Sequence, residues 1–175
     1  MPAKNIHPNR EKLSREVKEK FYECLIKYFR ENIQRGKKVE NPDFIEFPYV
    51  PDFCYIDNKI KLHIDIEIDE PYTLSSPCKP IHYIGLKNEI TRNDYFKNKR
   101  GWIVIRFSEE QIVRYPESCC KFIGETINKI TYDPFILDSF DKIQDIKKVK
   151  RWTEEEAKEM IKINYRRTYL GDIGI

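Results

Sequence analysis

Nowhere in the 175 residues does an apolar run approach the ~18 needed to cross a bilayer, so no transmembrane helix is expected. The opening MPAKNIHPNREKL has no apolar stretch of the kind a secretory leader carries, and no export signal is expected. C-x-x-C is missing as well. The five cysteines (Cys24, Cys54, Cys78, Cys119, Cys120) are odd in number, which argues against a disulfide framework and for buried thiols in a reducing, cytoplasmic setting. Cys119, Cys120 and His82 are metal-capable side chains but lack the usual zinc spacing. Repeats and low-complexity tracts are absent. A formal net charge of +3 does not by itself mark a nucleic-acid binder.

What the chain does have is enough apolar sequence for one core. Hydrophobic residues make up 40% and aromatics 13%, which outweighs a charged fraction of 35% and argues for a folded domain. The basic residues cluster as Lys18/Lys20, Arg35/Lys37/Lys38, Lys97/Lys99/Arg100, Lys147/Lys148/Lys150/Arg151 and Arg166/Arg167. Each cluster suits either a solvated surface or phosphate contacts.

The hydrophobic periods predict the elements. Val17, Phe21, Cys24, Leu25 and Tyr28 share one face of a helix that Ser14 is placed to cap and that ends near residues 32–36. A short strand is expected near Phe44–Phe47 and another near Asp52–Ile56. An Asp57-Asn58 turn follows, then a third strand over about Lys59–Asp69. The Pro- and Ser-rich 70–85 reads as a loop. Residues 86–100 read as a helix stopped by Gly101, and Trp102–Phe107 as a buried strand. Ser108-x-x-Gln111 and Thr153-x-x-Glu156 are capping boxes, Pro116 breaks the helix between them, and the second box opens a terminal helix to about Tyr169. The order predicts an α/β fold, a mixed sheet flanked by helices, with residues 14–130 as core and 131–175 as a helical extension packed on it. The extension's apolar stripe of Ala157, Met160, Ile161 and Tyr165 suits docking on its own core, or a homodimer or partner-protein surface.

The stretch LHIDIEIDEPY (62–72) carries the chemistry. Isoleucines on one parity face a core, while His63, Asp65, Glu67 and Asp69 occupy the other. Carboxylates about 7 Å apart along a strand repel and need compensation, from Lys59, Lys61 and nearby arginines or from a bound cation. Asp52 lies at the same end of the hairpin as these acids, though its pairing with Glu67 is expected to need a bulge or twist. A hard ion such as Mg²⁺ takes one or two carboxylates plus water and phosphate oxygens. Arg106 ends an apolar strand, an expensive place for an unpaired charge. His82, in the loop after the acids, is suited to proton transfer.

VPDFCYIDNKIKLHIDIEID resembles the signature of the PD-(D/E)XK nuclease superfamily, with Pro51-Asp52 as its first element and Glu67 as its second acid. The pieces Glu19, Asp52-Phe53, Ile66-Glu67-Ile68-Asp69, Arg92 and GWIVIRF resemble most closely the very-short-patch-repair-type endonucleases. The resemblance implies a restriction-endonuclease-like αβββαβ core and a Mg²⁺- or Mn²⁺-dependent endonuclease acting on DNA in preference to RNA, in a mobile-element or defence setting. It implies metal binding by Asp52, Glu67 and Asp69, with Asp65 as an alternative ligand, a further acid at Glu19, and phosphate clamping by Arg92 and Arg106. Asp69 stands where the family has its lysine, so Lys97, Lys99 or Arg92 is expected to supply the cation. That departure also leaves open a non-catalytic nucleic-acid-binding or protein-interaction module of the same fold.

Overall fold

The computed structural model describes residues 10–171. Helix α1 (Arg10–Phe29) leads through a single tight turn into β1 (Ile33–Gln34); β2 (Phe53–Asp57) and β3 (Leu62–Asp69) follow. Helix α2 (Lys87–Asp94) runs on through a π-helical turn (Tyr95–Lys99) to β4 (Ile103–Ser108). Then come α3 (Glu109–Arg114), α4 (Pro116–Thr131), a 3₁₀ stretch (Pro134–Phe140), α5 (Glu154–Lys162) and α6 (Arg167–Leu170). The four strands lie in sequence order in one sheet, β1, β2 and β3 antiparallel and β4 parallel to β3.

Strand parity assigns each face its cover. Phe53, Tyr55, Ile64, Ile66, Ile68, Ile105 and Phe107 point to one side and pack with Val17, Phe21, Leu25 and Phe29 of α1 and with Cys119, Cys120 and Ile123 of α4. On the opposite side Cys54 and Ile56 meet Phe96 from the π-helical turn and Trp102 just before β4. The acid-bearing face of β3 is therefore roofed, and Asp65 is fully buried.

Several elements differ from the sequence expectation. Residues 44–47 form no strand: Val39 and Tyr49 bridge at the base of a loop whose tip exposes Phe44, Ile45 and Phe47. The third antiparallel strand is instead β1, two residues long and so without a readable period. Ser14 is not the cap of α1, which already begins at Arg10; its hydroxyl donates to Glu70 Oε1 at 3.4 Å. The third strand starts at Leu62, because Asn58 to Lys61 are spent on the turn, with Lys61 in the left-handed region at φ 57°. The terminal helix is broken after Lys162, where Asn164 also turns left-handed at φ 51°. Both capping boxes form, Pro116 opens α4, and Gly101, at φ 66°, ends the helical run before β4. Ala157 is fully buried and Tyr165 packs on the main core, so the C-terminal stripe serves the chain's own interior.

Candidate functional site

Register brings the first two acids together. Phe53 pairs with Ile66, so Asp52 and Glu67 follow as the next opposed positions, with no bulge. The shortened third strand is the reason: four turn residues place the two acids symmetrically about the hairpin. Asp52 N–H donates to Glu67 Oε1 at 3.3 Å, and Ile68 N–H donates to Asp52 Oδ2 at 2.9 Å. Lys18, from α1, donates to Asp52 Oδ1 and stands 3.9 Å from Glu70. Lys18 and Asp52 border a cleft of about 450 Å³ lined also by Ser14, Arg15, Glu19 and Arg35.

Arg92 reaches in from α2. Its Nη1 and Nη2 hold Asp65 Oδ2 and Oδ1 at 2.7 and 3.2 Å, and Nη2 also meets Glu67 Oε1 at 2.6 Å. One guanidinium thus faces two carboxylates. Asp65 takes the bidentate pairing, and Glu67 is left with burial and the neighbouring Asp65 charge, which together lift its carboxyl to about 8 against the opposing pull of Arg92. Asp52 and Asp65 are balanced by Lys18 and Arg92, and Glu67, its carboxyl lifted to about 8, keeps its proton at neutral pH. A hard dication suits the Glu67 oxygens on displacing that proton.

Asp69 lies in a second cluster. Arg106 Nε donates to its two oxygens at 2.9 and 3.1 Å, and Nη2 donates to Oδ1 at 2.5 Å. His82 Nδ1 shares a short hydrogen bond with Glu89, and its Nε2 is 3.3 Å from Glu70 Oε2. Arg151, beside the second capping box, donates from Nη2 to Glu89 Oε2 at 2.5 Å and to the His82 carbonyl at 3.1 Å. Burial alone would lower the His82 pKa, but Glu70, Glu89 and Asp69 outweigh it and raise the imidazole to about 9. Burial works against the Glu89 carboxylate too, yet His82 and Arg106 hold it down at about 2. Asp69, His82 and Glu89 are the one group among the described residues with three ligand atoms within an ion's reach. With His82 protonated, however, His82, Arg106 and Arg151 balance Asp69, Glu70 and Glu89. A metal here would have to displace the His82 proton.

The structure therefore gathers Asp52 and Glu67, and brings Asp65 and Arg92 beside them. Asp69 and Arg106 are paired with each other further along the face. Glu19 lines the cleft but is half exposed and bonded to Arg35 Nη1 at 2.7 Å. Lys97 and Lys99 lie exposed on the π-helical turn, and the ammonium at the acids comes from Lys18 instead. Lys18 was visible in sequence only as part of a basic cluster; its spacing of four from Ser14 on one face of α1 was the available signal. Cys119 and Cys120 are buried against α1, where Cys120 Sγ lies 3.5 Å from Cys24 Sγ, whereas His82 sits among the acids. Glu70, Glu89 and Arg151 gave no periodic signal, because two of them sit in or beside loops. No family model, curated protein or solved structure matches the chain.

Proposed function

We propose that the chain is a metal-dependent nuclease, with Asp52 and Glu67 as the ligands of a Mg²⁺ or Mn²⁺ ion and DNA as the favoured substrate. The observation that carries this reading is the register that sets Asp52 opposite Glu67, the Asp52 amide donating to the Glu67 carboxylate, with Asp52 on the wall of a cleft lined also by Arg15, Lys18 and Arg35. When bound, such an ion polarises a phosphoryl oxygen and makes a water more acidic. Asp52 is oriented by the Ile68 amide, and Glu67 by the Asp52 amide and Arg92. Lys18 supplies the ammonium that position 69 lacks, within reach of Asp52 and of a phosphate in the cleft. Arg15 and Arg35 offer the flanking backbone two cations, so affinity should fall with salt. The restriction-endonuclease-like core is part of the same proposal, supported by a helix, three antiparallel strands, a helix and a parallel fourth strand in that order.

Incubating plasmid and single-stranded DNA with Mg²⁺ or Mn²⁺ tests the reading, with Glu67→Gln as control. Cleavage lost by about 10²-fold or more in the variant supports it; cleavage at the parent rate places the activity elsewhere. The second reading, a nucleic-acid-binding module without catalysis, is favoured by one observation: Asp69, at the motif-lysine position, is tied to Arg106 and provides no base.

A further inference from the structure

A second pocket of about 300 Å³ lies around the β1 edge from the cleft, on the acid-bearing side of the sheet. Its wall is an aromatic step. The His63 ring stacks on Trp102 with centroids 5.1 Å apart and planes 22° from parallel. Trp102 is itself pinned, its backbone N–H donating to the Phe96 carbonyl at 2.9 Å and its ring edge-on to Phe96 at 5.2 Å. Trp102 is nearly buried whereas His63 is only partly so, leaving His63 as the outer plate of a supported stack. Gly101, left-handed at φ 66°, turns the chain so that Arg100 and Trp102 both line the space.

Apart from Ile56, the rest of the lining is polar, and its charges are of one sign. Lys37 and Arg100 bring two exposed cations, Gln34 and Asn58 two side-chain amides, and none of the lining residues is acidic. A supported aromatic stack with a partly exposed outer ring, cations at the rim and side-chain amides beside it is the chemistry that accepts a planar heterocycle joined to a phosphate. A volume of about 300 Å³ suits one nucleotide unit rather than a duplex.

We propose that this pocket binds an unstacked nucleotide of single-stranded DNA, its base on His63 and its phosphate on Lys37 and Arg100. The choice of nucleic acid as ligand rests on the nuclease reading. His63 and Glu67 stand on the same face of β3, four residues or ~13 Å apart. Arg35 lines the catalytic cleft, and Lys37, two residues on, lines this pocket. The basic segment rounding the β1 edge thus gives a strand a path between them. Such a pocket would select a flap, gap or frayed end over intact duplex, because a paired base must first leave its stack.

The test is fluorescence anisotropy of a labelled deoxythymidine hexamer in EDTA, where no metal-dependent cleavage can contribute. The parent should bind the hexamer more tightly than a blunt duplex of the same length. His63→Ala should weaken hexamer binding about tenfold, and His63→Phe, which keeps the plate, should stay within about twofold of the parent. Lys37→Gln and Arg100→Gln should each flatten the dependence of log affinity on log salt by about one. Parent-like affinity in His63→Ala overturns the proposal; so does His63→Phe as weak as His63→Ala, or a duplex bound as well as the hexamer. Hexamer binding that follows this pattern in a protein unable to cut DNA with Mn²⁺ would sink the nuclease reading and leave the pocket standing.

Discussion

Glu67 is the residue on which the chemistry turns, and its burial makes a prediction that needs no substrate. A carboxyl raised to about 8 binds more protons in the folded protein than in the unfolded chain, where 4.5 applies. Stability therefore declines as pH rises from about 4.5 to about 8. Glu67→Gln removes the titrating group, so in metal-free buffer its melting temperature should gain on the parent across that window and run parallel to it above. Thermal denaturation at stepped pH checks this. Mn²⁺ added to the parent should reverse the loss and release about one proton per ion below pH 8, readable by calorimetry in buffers of different ionisation enthalpy. His82 makes a separate prediction. Its imidazole, ordinarily near 6.5, is raised to about 9, so the stability it contributes is complete below about 6.5 and is lost as pH climbs through about 9. His82→Gln should abolish that alkaline slope and leave the Glu67 window unchanged. The two residues belong to different ion clusters, which a common slope lost in both variants would contradict.

At the scale of elements, the α4 helix meets the 3₁₀ stretch through a missing side chain. A Cβ on Gly124 would lie 2.9 Å from Phe140 Cε2. Phe140 cannot give way easily: it is buried, stacked on Tyr28 with centroids 4.4 Å apart, and tilted against Phe29. Alanine in mid-helix would gain about 1 kcal/mol of propensity, against about 1–3 kcal/mol for overpacking. Gly124→Ala should lower the melting temperature, and adding Phe140→Leu should recover part of the loss. A stabilised single variant would show that the 3₁₀ stretch shifts freely. The same scale explains what the sequence made legible. Helix α1, strand β3, both capping boxes and the Gly101 stop carry local signals, a period or a cap, and these could be read directly. Strand β1 has two residues and no period, so its place was given to the more apolar 44–47, which is a loop. Asp52 and Glu67 were identifiable as types, but their direct opposition depended on how many residues the 58–61 turn consumes, a count set by tertiary pairing. The division of the acids into two clusters depended on Arg92 and Arg106 arriving from separate elements, which no window of sequence contains.

For the whole molecule, the question is whether the C-terminal part unfolds with the core or by itself. A buried ion pair argues for one cooperative body. Arg166, from the turn before α6, donates from Nε and Nη2 to the Glu109 oxygens at 2.7 and 2.5 Å, and from Nη1 to the Tyr72 carbonyl at 2.7 Å. Tyr169 adds a hydrogen bond to Glu109 Oε2 at 2.8 Å, and the Arg166 N–H donates to the Tyr72 hydroxyl at 2.9 Å. Glu109 opens α3 directly after β4, so this network ties α6 to the sheet and to the loop beyond the acids. Phe140, Tyr169 and Leu170 also sit in the same core as α1 and β3. Arg166→Met would strand a buried carboxylate and should cost about 3–5 kcal/mol. Pairing it with Glu109→Gln should return much of that, because the uncompensated charge is what costs. Urea unfolding followed by far-ultraviolet dichroism and by tryptophan emission reads both the loss and the cooperativity. In a Trp102→Phe background, Trp152, whose indole donates to the Ile81 carbonyl at 3.2 Å, is the sole tryptophan and reports on the C-terminal segment, while backbone dichroism reports on the whole. Coincident midpoints in parent and variants are expected if the chain unfolds as one unit. An early tryptophan transition in the parent would instead make residues 131–171 a separable cover, and Arg166→Met would then shift that transition alone.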